Sequence, residues 1–157
     1  MSGKLQYPTP GINFSLVCNC QKGQITEDVV CKLLSAIKGR LRKEETEEIR
    51  VIWAELCMKL ITKMDENISV NQSELWMDIV EIAVLDKFAD VQKLMANLVV
   101  LYAVQYPKYT DYACERMVRI IIPLLIHKHN SVRAAGIKVK NKGKNSQNAF
   151  DCLETYY

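Results

Sequence analysis

Carboxylates are missing from one long stretch of this chain. Between Glu115 and Asp151 there is no Asp or Glu, while eight Lys and Arg stand there. The 157 residues carry 21 basic and 18 acidic side chains, so that stretch is +8 and the remainder −5. Glycine and proline are sparse, six and four, which argues against a turn-rich all-β fold. No apolar run approaches a bilayer span, and even Ile120 to Ile126 falls far short. The first residues show no apolar signal core, and Gly3 is not where N-myristoylation needs it. Histidine is nearly absent: His127 and His129 are the two, with no acid near them in sequence. Each Cys could pair with one of them as a nucleophile. No nucleophile elbow, P-loop, Rossmann fingerprint or paired-carboxylate pattern occurs, so an enzyme is not expected.

What is present is helical patterning around a core that a chain this long can bury without staples. The six Cys do not read as a disulfide framework, because Cys31, Cys57 and Cys114 fall inside apolar helical stripes. A first helix follows Thr26, with Ile25, Val29, Val30, Leu33, Leu34, Ile37 and Leu41 on one face. A second starts near Glu44 and carries Ile49, Ile52, Trp53, Leu56, Cys57, Leu60, Ile61 and Met64. Glu44, Glu45, Glu47 and Glu48 load its start with the sign the helix dipole favours. Residues 65–72 read as a loop, with Asn71 capping a third helix that runs to about Phe88. A fourth spans about Ala89 to Tyr106. Both are apolar around most of their girth, which marks central helices. A fifth begins at Thr110-Asp111, with a kink or restart expected at Pro123.

The ends differ from this body. Pro8 and Pro10 forbid a helix near the start, so residues 1–24 read as an extended arm, with Ile12, Phe14 and Leu16 alternating. Residues 138–148 have loop composition, and Phe150, Leu153, Tyr156 and Tyr157 form a short apolar anchor. The expected architecture is all-α: a compact bundle of about five main helices (25–130) with an N-terminal arm (1–24) and a basic C-terminal extension (131–157).

The stretch Pro123-Leu-Leu-Ile-His-Lys-His-Asn-Ser-Val-Arg-Ala-Ala-Gly136 resembles the turn between the helices of a HEAT-type repeat, where a Val-Arg pair opens the second helix. The resemblance covers about 14 residues of one unit, after which the chain departs into Lys and Asn. No internal sequence repeat accompanies it, so a stacked solenoid is not expected.

The basic segment suits a polyanion. Lys128, Arg133, Lys138, Lys140, Lys142 and Lys144 would neutralise phosphates with salt-sensitive affinity, and Tyr106, Tyr109 and Tyr112 would offer stacking faces. The function expected on these grounds is a non-catalytic structural protein of viral nucleocapsid, coat or matrix type. It would self-associate as a homo-oligomer and bind nucleic acid, RNA before DNA. An acidic protein surface is a further expected partner, and an anionic membrane surface ranks lower. The alternative is a helical adaptor or regulatory protein that binds a host or cellular protein through an apolar surface. A reducing, cytoplasmic setting is expected, the nucleus second, and no cofactor. Cys18, Cys20, His127 and His129 are ligand types zinc takes, but Cys-x-Cys is tighter than the usual Cys-x₂₋₄-Cys bite, so no metal is expected.

Overall fold

The computed structural model describes residues 17, 19–106 and 114–143. Among these, every regular element is a helix. Helix α1 (Glu27–Lys43) begins with Glu27 and Asp28 and ends with Arg40, Arg42 and Lys43, each sign placed where the helix dipole favours it. Its buried stripe is Val30, Leu33, Leu34, Ile37 and Leu41. Helix α2 (Glu47–Lys63) buries Trp53, Ala54, Leu56, Cys57, Leu60 and Ile61. A short α3 (Glu66–Asn71) leads into α4 (Ser73–Val84), and α5 (Ala89–Gln105) follows a tight turn. The last two are α6 (Cys114–Leu125) and α7 (Asn130–Gly143).

These helices pair as three hairpins, α1–α2, α4–α5 and α6–α7, which stack side by side. In one layer α1 packs on α4 and α4 on α6; in the other α2 packs on α5 and α5 on α7. That is a two-layer solenoid, and it overturns the expectation of an unrepeated bundle. The burial pattern repeats with the stack. Leu34, Trp76 and Met117 are equivalent and all buried, as are Ile37, Ile79 and Ile120, and Leu41, Ala83 and Leu124. Each full burial of such a side chain contributes about 2 kcal/mol, and α4 and α5 have a packed hairpin on either side. The girth-wide apolarity of the middle two helices has this cause.

Three local expectations are corrected. Residues 65–72 are not a loop, since α3 occupies most of them. Asn71 is its last residue rather than the cap of α4, and its side chain donates to Glu27 Oε2 at 3.3 Å. The short helix is held by a contact remote in sequence: Tyr102 Oη donates to the Ser69 carbonyl at 3.1 Å. Pro123 does not interrupt α6, because it lies in the last turn and the helix ends two residues later. Residues 138–143 are helical rather than loop, because α7 is seated along α5 with Val132, Ala135 and Gly136 buried. Cβ at Gly136 would meet Leu124 Cβ at 3.1 Å and Leu125 Cδ2 at 3.2 Å, so the missing side chain sets how closely α7 approaches α6.

Of the N-terminal arm, Val17 and Asn19 are helical and Val17 is buried, a departure from an extended segment. Ile12, Phe14 and Leu16 lie outside the described residues, as do Phe150 to Tyr157. The division drawn between residues 130 and 131 falls in the first turn of α7.

Candidate functional site

The edge of the stack where each hairpin turns is built three times from the same two bonds. The turn residues are Glu44, Asp86 and His127, 42 and 41 positions apart. In each turn the side chain of that residue accepts the backbone N–H two residues on. Thr46 donates to Glu44 Oε1 at 2.9 Å, Phe88 to Asp86 Oδ1 at 3.0 Å, and His129 to His127 Nδ1 at 3.1 Å. In each, the side chain six residues on donates back to the turn residue's own carbonyl. Arg50 Nη1 reaches Glu44 O at 2.5 Å, Gln92 Nε2 reaches Asp86 O at 2.8 Å, and Arg133 Nη1 reaches His127 O at 2.6 Å. Bonds of this kind close the turn between the two helices of each unit, replacing water at carbonyls and amides the helices leave open.

Ionic bonds tie the units together. Arg50 sends Nε (2.8 Å) and Nη2 to Asp86 Oδ2 in the next unit, and the pair is buried at 7 and 5% exposure. In the other layer, Glu74, Asp78 and Glu81 on α4 take cations from both neighbours. Lys38 of α1 reaches Asp78 Oδ2 at 2.5 Å. Arg116 of α6 reaches Glu74 at 2.6 Å, Asp78 at 2.5 Å and Glu81 at 2.7 Å. The Lys38 hydrogen bond, the largest influence, holds the Asp78 carboxyl below its ordinary pKa against the opposing effect of burial, and the Arg116 hydrogen bond adds to it. The carboxylate of Glu81, with Asp78 beside it, raises the Arg116 pKa further.

Between α4 and α6 at this turn edge lies a cleft of about 240 Å³, lined by Glu81, Val84, Leu85, Arg119, Ile120 and Pro123. Leu85 is 71% exposed, and Ile126, its equivalent one unit on, is 73% exposed. Two large apolar side chains thus stand uncovered at matching positions, and Leu85 lines an apolar cleft rimmed by one acid and one base. The volume is below the roughly 300–1,000 Å³ of sites that enclose a small molecule or cofactor. It fits a side chain inserted by another protein. No helix among the described residues is long and apolar enough to cross a membrane.

Of the residues read as a phosphate-binding set, Lys128, Arg133 and Lys138 have described side chains. Lys128 and Lys138 are exposed on the turn and on α7, whereas Arg133 is half-buried and donates to the carbonyls of His127 and Lys128. Lys140 and Lys142 lie on the last turns of α7 with side chains outside the described set, and Lys144 lies outside the described residues. Tyr106 is no stacking platform: it is buried, with its hydroxyl donating to the carbonyls of Ile61 at 3.1 Å and Met64 at 3.3 Å. Tyr109 and Tyr112 fall outside the described residues, as does Cys18. Among the described residues no group of three His, Cys, Asp or Glu could hold a metal ion, and Cys20 is half-buried with its carbonyl accepting from Lys63 Nζ at 2.5 Å. Cys57 is sealed in the core, where desolvation pushes its thiol up to about 12, so it is no nucleophile at neutral pH.

Sequence reading missed Asp86, Gln92 and the pairing of Arg50. A signal was present: Ile49-Arg50, Val91-Gln92 and Val132-Arg133 each follow a turn acceptor by five and six residues. The stretch that resembles a HEAT-type turn is the third of these, and the 41–42 residue spacing is that of HEAT units, about 40–47, rather than the 34 of TPR units.

No curated protein and no solved structure matches the chain. A family model described as "Dynein axonemal assembly factor 5-like, TPR repeats" does match, over residues 14–147. The match overturns the nucleocapsid-type, RNA-binding reading, which rested mainly on the charge asymmetry, and favours the helical-adaptor alternative. The three stacked hairpins and the extent of that match agree: this chain belongs to the dynein axonemal assembly factor 5-like family of helical repeats.

Proposed function

We propose that the protein is a non-catalytic helical-repeat adaptor of the assembly-factor type, working in the cytoplasm by holding a segment of another protein. The observation that carries this reading is the α4–α6 cleft lined by the exposed Leu85, with Ile126 exposed at the matching position of the next unit. Contiguous exposed apolar surface rimmed by polar groups is the usual mark of a protein contact, and helical-repeat stacks present such surfaces along one side. The free thiols Cys20, Cys31 and Cys57 support a reducing compartment.

The test is to identify proteins captured from cytoplasmic extract by the full chain and by its Leu85→Ser/Ile126→Ser variant. Affinity of the purified candidate for each is then measured by calorimetry. Both side chains are exposed, so the variant keeps its melting temperature. Affinity falls about tenfold or more, as for an apolar anchor removed from an interface. Equal affinity for both forms would sink the cleft as the binding surface.

A further inference from the structure

The turn edge is also an unfinished ladder. Arg50 does two things at once: Nη1 closes its own turn on the Leu41 and Glu44 carbonyls, while Nε and Nη2 reach forward to the Asp86 carboxylate of the following unit. Gln92, at the same place in the second unit, keeps only the first role and leaves its Oε1 buried without a partner. Arg133 restores the arginine in the third unit. Its Nη1 closes the turn on His127 and Lys128, and its Nε and Nη2 have no acceptor among the described residues. In sequence, no carboxylate occurs between Glu115 and Asp151.

A second observation marks the same face. Ala54 and Ala96 stand at equivalent positions in α2 and α5 and are fully buried. Each of these helices has a further second-layer helix packed beyond it, and α7 has none among the described elements. Ile137, the third equivalent, is 49% exposed. A large apolar side chain is therefore uncovered four residues beyond the open guanidinium edge, on one side of a helix. Lys138 is exposed beside it.

We propose that this end of the stack docks a helical hairpin of a partner protein that carries an Asp or Glu in the turn between its helices. The carboxylate closes on Nε and Nη2 of Arg133 as Asp86 closes on Arg50, and the hairpin's second helix covers Ile137. The basic charge of α7 then acts in a protein contact: it raises the encounter rate with an acidic-turned partner and disfavours a basic one. This surface is separate from the α4–α6 cleft and does not depend on it.

The probe is a disulfide-stapled two-helix miniprotein whose turn has the sequence of residues 84–92, Asp86 included, titrated against the full chain. Binding is expected, weakened about 30-fold or more both by Arg133→Gln in the chain and by Asp→Asn in the probe turn, with no further loss when the two are combined. Gln92 shows that glutamine still closes the turn at this position, so Arg133→Gln keeps the fold, and an unchanged melting curve verifies that. The Leu85→Ser variant, changed only in the α4–α6 cleft, binds the probe as the parent does, which separates failure of this inference from failure of the cleft reading. Absence of binding overturns the proposal, as does binding insensitive to Arg133→Gln. Equal binding of an unstructured peptide of the same charge overturns it too, leaving generic basic attraction. Self-association of the chain that disappears in Arg133→Gln would identify the occupant as a second copy and would also overturn it.

Discussion

At the scale of the residue, Asp86 has the most to hold. One carboxylate caps its own turn through Phe88, accepts Arg50 from the preceding unit, and is buried while doing so. Removing it strands the Arg50 guanidinium in a site that water does not reach, and breaking a buried pair in this way costs about 3 kcal/mol or more. We expect Asp86→Ala to lose that much in urea denaturation, and Arg50→Met/Asp86→Leu to recover most of it because no charge is then left unpaired. A double variant as unstable as the single one would show that the turn bond to Phe88, rather than the charge pair, is what matters. Glu44 illustrates the milder case: half-buried, its carboxyl is held below the ordinary value chiefly by the Thr46 amide, and it caps a turn without joining two units.

Helix α4 is the element on which the outer layer hangs. Its Glu74, Asp78 and Glu81, one turn apart, bind α1 through Lys38 and α6 through Arg116. These groups are partly exposed, so solvent screening limits each to roughly 1 kcal/mol or less. The sign of the pH effect follows from Asp78. Its folded-state pKa is depressed, so its contribution is complete above the unfolded value near 4 and is lost as pH falls through the lower folded one. Arg116→Gln should lower the melting temperature at pH 7 by a few degrees in low salt, and the gap from the parent should narrow both in 1 M salt and toward pH 3. A gap independent of salt and pH would mean that Arg116 acts through packing of its stem.

For the whole molecule, stability should grade along the stack, because each hairpin in a solenoid rests only on its neighbours. Helix α5 lies between α2 and α7 and behind α4, whereas α7 has only α5 and α6 beside it among the described elements. Native-state hydrogen exchange should therefore find the α4 and α5 amides slowest, with α7 opening earlier at lower free energy. Equal protection of α5 and α7 would indicate all-or-none unfolding of the three units.

Much of this was legible in the sequence. The stripes Leu33–Leu34–Ile37–Leu41 and Leu56–Cys57–Leu60–Ile61 specify amphipathic helices by spacing alone, and the girth-wide apolarity around Trp76 and Met95 marks the two that end up in the middle. Helix α3 and the last turns of α7 were not legible, because each depends on a surface remote in the chain, Tyr102 for one and α5 for the other. The repeat was hidden for a different reason. Glu44, Asp86 and His127 share no side chain, nor do Arg50 and Gln92, yet they do the same work, because a turn needs one acceptor and one donor at set positions and several side chains supply either. Sequence alone determined an all-α chain with a basic end. Only the tertiary structure decided that the helices stack as units, that the basic segment forms the third rung of a ladder, and that its Arg133 has an open edge among the described residues.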